Sequence, residues 1–274
     1  VVEPIGWFEA VVLGLIQGLT EFLPISSSAH ILIVSQLLGW RDPGAAFTAV
    51  IQIGTEAAVI VYFRRDLLRI ARAWIHSVRT RQGSPESRLG WYIIVGTIPI
   101  VVLGVAFTRQ IETAARNLWL VASVLIVFGI VLGVVDRWGS KSRSLNAMTS
   151  RDGLILGFGQ ALALIPGVSR SGATISTGLA LGYTREAAAR YSFLLAIPAV
   201  LGAGFYEASK IGSDASVAWG PTLTATAISF LVGYTVIAWL LRYISTHSFL
   251  PFVLYRVALG SLVLVLLATG VLTS

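Results

Sequence analysis

The sequence has no cysteine, one methionine and three histidines in 274 residues, and only 12% of its residues are charged. Without cysteine there is no disulfide framework and no thiolate metal site. The charged fraction is half the roughly 25% of a soluble domain, which argues against an ordinary soluble enzyme. No basic stretch followed by a cleavage site marks a signal peptide, and the first charge is Glu3. What fills the chain is apolar: 55% hydrophobic residues and 27 glycines, with a mean hydropathy of +0.81. That content excludes a disordered chain. A net charge of +7 and a pI near 10.1 would suggest nucleic acid in a soluble protein. In so apolar a chain they point to Lys and Arg held in cytoplasmic loops, and no nucleic-acid partner is expected.

A transmembrane helix needs about 20 mostly apolar residues. Six stretches qualify: 46–64, 89–108, 117–136, 189–207, 220–242 and 249–272. Four shorter ones, 6–23, 28–40, 152–165 and 171–183, form two pairs. The first pair is interrupted by Pro24-Ile25-Ser26-Ser27-Ser28, the second by Pro166-Gly167-Val168-Ser169-Arg170-Ser171-Gly172. Such short runs read as re-entrant hairpins, although 6–23 is long enough to leave a full span open. The expected fold is an all-α polytopic membrane protein of about ten helical segments.

The chain also repeats. A shift of 143 residues aligns Leu13-Gly14 with Leu156-Gly157, Gln17 with Gln160, and Leu19 with Leu162. It also aligns Ser26 with Ser169, Ser28 with Ser171, and Leu38-Gly39 with Leu181-Gly182. Each half, about 1–140 and 141–274, reads hairpin, span, span, span. A hairpin adds no net crossing and three spans are odd, so the second half of this single membrane domain is expected upside down.

Charge sets the expected orientation. Loops 64–90 and 136–152, with Arg185, Arg190 and Arg242, carry fourteen basic residues; the other side has Arg41, Arg109, Arg116 and Lys210. By the positive-inside rule both termini and the mouth of the first hairpin face outward. Trp7, Trp40, Trp119 and Trp219 fall near the outer interface, and Trp91, Trp138 and Trp239 near the inner one.

Ionisable groups within a bilayer are functional candidates by default. Here they are Glu21, His30, Glu56 and Arg170, with Glu9 and Arg256 towards helix ends. Glu9 reads as hydrated, and Arg256 as snorkelling to the cytoplasmic interface. Glu56 is open between a supporting and a direct role. Gln17 and Glu21 share a helix face four residues apart. Ser26, Ser27 and Ser28 follow Pro24 at a helix start, where each is also a good N-cap. His30 lies one turn on, close enough to stand beside Ser27. In the second hairpin Ser169, Arg170, Ser171 and Thr174 surround a helix N-terminus, an anion site by dipole and free N–H groups. Arg adds a fork that matches phosphate oxygens. Together they read as a phosphoryl-transfer constellation inside a membrane.

The run Gln17-Gly18-Leu19-Thr20-Glu21-Phe22-Leu23-Pro24-Ile25-Ser26-Ser27-Ser28-Ala29-His30 resembles the first signature of the bacterial undecaprenyl-diphosphate phosphatase family of bacitracin-resistance proteins, (E/Q)xxxE followed by Pro, a serine run and His. Pro166 to Thr174 resembles the second, PGxSRSxxT. The resemblance covers essentially the whole chain. It implies a membrane enzyme that hydrolyses undecaprenyl diphosphate to undecaprenyl phosphate and inorganic phosphate, recycling the carrier lipid for peptidoglycan synthesis and conferring bacitracin resistance. It also implies a divalent cation, Mg²⁺ or Ca²⁺, and a site open to the outer face. Where many members have Glu, this chain has Gln17, so metal binding is expected to rest on Glu21 with weak help from Gln17. Arg170, Ser26, Ser169, Ser171 and Thr174 would bind the diphosphate. Ser27 is the preferred nucleophile with His30 orienting or deprotonating it; a phospho-His30 intermediate and direct attack by water stay open. The alternative class is a transporter or flippase for a prenyl phosphate lipid, which inverted repeats with broken helices also suit. A homodimer is open, since Gly202-Ala203-Gly204 could pack helices closely.

Overall fold

A computed structural model of the chain describes residues 5–114, 117–211 and 218–273, without the side chains of residues 45, 112 and 208–211. Arg116 and the Lys210 side chain, two of the four basic groups assigned to the outer side, thus lie outside the described residues. The first seven helices are α1 (Trp7–Thr20), α2 (Ser27–Leu37), α3 (Gly44–Tyr62), α4 (Arg64–Thr80), α5 (Pro85–Ala106), α6 (Thr108–Ala114) and α7 (Leu118–Trp138). The other five are α8 (Ser150–Ala161), α9 (Arg170–Ala180), α10 (Arg185–Ile211), α11 (Trp219–Ile244) and α12 (Leu250–Ala268). No strand occurs among the described residues beyond one isolated bridge between Arg143 and Tyr183.

All six expected spans are helical. Helices α5, α7, α10, α11 and α12 are each long and apolar enough to cross a bilayer, while α3 joins α4 in a pair bent by 77°. The four short stretches are short helices too. The longest, α1, has 14 residues; at about 1.5 Å per residue it falls well short of the roughly 30 Å hydrocarbon core. The first arm, open to reading as a full span, is therefore half a span, ending at Thr20 before Pro24.

Two helices were not expected, which raises about ten segments to twelve. The stretch 64–80, read as a basic loop, is the amphipathic helix α4. Leu67, Ile70 and Trp74 turn inward, Ile70 fully so, while arginines and Leu68, Ile75 and Val78 stay exposed. A basic helix with an apolar face is built for a membrane interface. Asp66 on it takes a 2.8 Å bond from Arg190 of α10. Helix α6 is a short turn between α5 and α7.

The helices interlock across the two halves. Helix α1 lies along α11, which lies along α3; helix α8 lies along α5, which lies along α10; α3 meets α10 and α7 meets α12. Exchanging α1, α2, α3, α5 and α7 for α8, α9, α10, α11 and α12 turns this set of pairings into itself. Small residues permit the closest crossings. A Cβ at Gly14 would stand 2.6 Å from the Ala225 carbonyl oxygen, and one at Gly157, 143 positions on, 2.5 Å from that of Gly96. The Gly202-Ala203-Gly204 stretch is partly used within the chain, since Gly204 lies against Ile53 of α3.

Overpacking at such crossings costs about 1–3 kcal/mol. Gly14→Ala and Gly157→Ala are each expected to lower the thermal unfolding temperature in detergent, because backbone must move to admit the methyl group. Gly202→Ala, where a Cβ meets nothing within 4 Å, is expected to leave it unchanged or raise it.

Candidate active site where the two broken helices meet

Both breaks have the same local build. Ser26 precedes α2 with φ 74°, and Ser169 precedes α9 with φ 71°. Positive φ at a non-glycine residue is strained, and such strain persists only where the surroundings hold it. In each case the next residue opens the helix: Ser27 on one side, Arg170 on the other. The serine two positions after Ser26 or Ser169 points back to it, with Oγ–Oγ distances of 3.3 Å for Ser26–Ser28 and 3.2 Å for Ser169–Ser171.

Arg170 is the centre. Its Nη2 donates to Glu21 Oε1 and to Glu56 Oε1, both at 2.8 Å. Glu21 closes α1, Glu56 comes from the middle of α3, and Arg170 opens α9, so the ion triad joins three elements from both halves. On its other oxygen Glu21 accepts Ser27 Oγ at 2.6 Å and Gln17 Nε2 at 2.8 Å. Gln17 and Glu56 are fully buried. Three buried polar atoms in this cluster have no hydrogen-bond partner: Arg170 Nη1, Glu56 Oε2 and Gln17 Oε1. Buried groups of this kind are costly unless something satisfies them. A guanidinium edge and two oxygens are thus left for a ligand, a cation or water.

Glu21, Ser27, Arg170 and Gln17 stand together as expected. Glu56, left open, is a direct member through Arg170. The expected pairing of Ser27 with His30 is not made. His30 Nδ1 stands 2.7 Å from the Ser26 carbonyl, which can only accept, so Nδ1 carries the proton. Its Nε2 stands 2.7 Å from the Tyr255 hydroxyl, which donates to it in the neutral ring. Both ring nitrogens are committed, and the carboxylate of Glu21 is the group placed to take the Ser27 proton.

The second hairpin's hydroxyls are also bound to the fold. Ser169 Oγ caps α9 by accepting Gly172 N–H at 3.2 Å. Ser171 Oγ donates across to the Leu23 carbonyl at 3.0 Å, stitching the two breaks together. Thr174 Oγ1 turns back to the Arg170 carbonyl at 3.0 Å. Among these side chains only Arg170 has a buried donor, Nη1, without a hydrogen-bond partner.

Arg256 corrects the sequence reading. It does not snorkel: it is fully buried. It donates to the carbonyls of Leu125, Pro24, Val168 and Gly167. Its neighbour Tyr255, which no sequence signal marked, supplies the partner of His30.

A family model described as bacitracin resistance protein BacA matches residues 10–262. The chain is 59% identical to a protein named undecaprenyl-diphosphatase from Nocardioides sp. strain JS614, over 98% of this chain and 100% of that one. It is 58% identical to undecaprenyl-diphosphatase 2 of Frankia casuarinae, over 97% of each. It is 59% identical to undecaprenyl-diphosphatase 2 of Agrobacterium fabrum, over 98% of each.

Removing one partner of a buried ion pair costs about 3–5 kcal/mol, because a charge is left uncompensated. Arg170→Met leaves two facing carboxylates and is expected to lower the unfolding temperature markedly. Adding Glu56→Gln to it is expected to recover part of that loss. Thermal unfolding of the two variants in detergent checks the coupling; additive losses would dissolve the triad.

Proposed function

We propose, from the premise that the chain belongs to the bacitracin resistance protein BacA family, that it is a membrane phosphatase hydrolysing undecaprenyl diphosphate to undecaprenyl phosphate and inorganic phosphate. The observation that carries this reading is the 2.6 Å bond from Ser27 to Glu21, set beside the guanidinium of Arg170. A hydroxyl on a carboxylate is a nucleophile with its base in place. A guanidinium with a free edge binds phosphate oxygens and stabilises charge on the transferring phosphoryl. Phosphoryl transfer needs little else beyond positioning and charge.

In this mechanism the terminal phosphate of the lipid docks on Arg170 Nη1. Ser27 Oγ passes its proton to Glu21 and attacks the terminal phosphorus. The bond from that phosphorus to the bridging oxygen breaks, and Glu21 hands its proton to the departing lipid phosphate. Water then attacks the phosphoserine, gives a proton to Glu21, and Glu21 returns it to Ser27 as phosphate leaves. His30, locked on the Ser26 carbonyl and Tyr255, holds the start of α2 in register. Glu56 and Glu21 together hold the guanidinium in place.

The donor set suits a hard divalent cation such as Mg²⁺ or Ca²⁺. Gln17 Oε1 and Glu56 Oε2 are buried oxygens without donors, next to the Glu21 carboxylate. Among the described residues no three His, Asp or Glu side chains group around one point. Glu21, Glu56 and Gln17 would therefore share the ion with phosphate oxygens and water. Bound there, it supplies charge neutralisation for the diphosphate.

The proposed setting is the bacterial cell membrane, with the two halves inverted and the fourteen basic residues of loops 64–90 and 136–152, Arg185, Arg190 and Arg242 on the cytoplasmic side. The site then opens outward, where spent carrier lipid is released by glycan polymerisation. Regeneration of the monophosphate there recycles the carrier for peptidoglycan synthesis and would confer the bacitracin resistance for which the family is named. Two broken helices meeting between inverted halves also suit movement of the lipid between leaflets.

Purified protein in detergent, with no membrane gradient, is expected to release phosphate from undecaprenyl diphosphate and to lose that activity to EDTA, with Mg²⁺ or Ca²⁺ restoring it. Arg170→Ala is expected to lower kcat/KM by about 10³ or more, and Arg170→Lys to recover only part of it. Binding of the lipid without phosphate release would favour a transporter.

A further inference from the structure

We infer that Arg256 is a positioning residue for this site: its guanidinium ties the two helix breaks to each other, and so sets where Ser27 and Glu21 stand against Arg170. Nη1 donates to the carbonyls of Pro24 and Val168, both at 3.0 Å, Nη2 to that of Gly167 at 2.9 Å, and Nε to that of Leu125 at 3.1 Å. Three nitrogens thus make four bonds that grip α7 and both breaks at once. Among the described residues no carboxylate pairs with Arg256, so its donors are spent on backbone alone.

The breaks need such a donor. A helix interrupted in an apolar interior leaves carbonyls without helical N–H partners, and each is costly if nothing satisfies it. A planar fork of five N–H groups reaches carbonyls of several segments from one position. Its grip is also placed with the repeat. Pro24 and Gly167 are 143 positions apart, and each lies three residues before the group that works in the site, Ser27 or Arg170. Between grip and working group stand two residues, Ile25-Ser26 or Val168-Ser169, the second of each pair strained at positive φ. A shift in the grip therefore passes straight to the nucleophile and to the guanidinium of Arg170.

The side chain sits in a slot cut for it. A Cβ at Gly129 of α7 would stand 3.1 Å from Arg256 Cβ, and one at Gly172 of α9 would stand 3.0 Å from Arg256 Nη1. One residue earlier, Tyr255 bonds His30 of the first hairpin. Helix α12 thus holds α2 as well as the break before it.

This inference rests on the reading of Glu21, Ser27 and Arg170 as the site, and the test separates the two. Arg256→Lys, Gly129→Ala and Arg170→Ala are purified as full chains, and kcat and KM for undecaprenyl diphosphate are measured per folded molecule. A misplacement of about 1 Å costs about 100-fold in rate, so Arg256→Lys is expected to lower kcat by about 10- to 100-fold with KM within about threefold. Gly129→Ala keeps the guanidinium but presses on its stem, and is expected to lower kcat in the same direction by a smaller factor. It carries the test alone if Arg256→Lys does not fold. Wild-type kcat in Arg256→Lys and Gly129→Ala, or in whichever of the two folds, with only a lower unfolding temperature, while Arg170→Ala is impaired, would reduce Arg256 to a structural strut and overturn the inference. So would a rise in KM at unchanged kcat. If Arg170→Ala itself turns over normally, the site reading falls and this inference with it.

Discussion

A guanidinium held between two carboxylates inside an apolar bundle is the constraint on which the rest depends. None of Glu21, Glu56 and Arg170 is tolerable there alone, since an isolated buried charge costs far more than any helix contact returns. Each comes from a different element, so pairing them forces α1, α3 and α9 into one geometry. The break at Pro24 and the break at Gly167 exist to bring two helix ends to that meeting point. Two carboxylates against one guanidinium leave the cluster one negative charge in excess, which a proton or a metal cation would balance when the site works.

The two hairpins share a build and differ in chemistry. Ser26 and Ser169 share a strained backbone and a partner serine two residues on. Gln17 and Gln160 are both fully buried. Yet the first helical residue is Ser27 in one hairpin and Arg170 in the other, and the carboxylate of Glu21 has Leu164 as its counterpart. In the proposed mechanism one copy keeps the nucleophile and base while the other keeps the anion grip. Facing two copies across a pseudo-symmetric interlock converts a repeat into an asymmetric site.

Much of this was legible in local sequence, because the site's chemistry sits in two short runs. Glu21 is four residues from Gln17, and Ser27 and Arg170 each follow a helix-breaking motif, so these residues were marked. What the sequence did not carry was the partner of each. Glu56 bonds a residue 114 positions away, and nothing near it said so. Ser27 and His30 are near enough in sequence to pair, but the Ser26 carbonyl holds His30 Nδ1 and Ser27 Oγ goes to Glu21. Ser169, Ser171 and Thr174 looked like ligand donors until helix capping and the stitch to Leu23 used them. Arg256 read as an interfacial arginine because it lies close to a helix start; its four carbonyl partners come from three distant segments. Helix α4 was hidden by its own charge, since arginines mask an apolar face that shows only when folded.

In the proposed mechanism Ser27, activated by Glu21, takes the phosphoryl group. That step is tested most directly by reacting purified protein with undecaprenyl diphosphate labelled in its terminal phosphate, quenching within one turnover and locating the label in the chain. Phosphate is expected on Ser27 in the wild type, and no label in Ser27→Ala. Label on His30, or none anywhere during normal single-turnover hydrolysis, would contradict it.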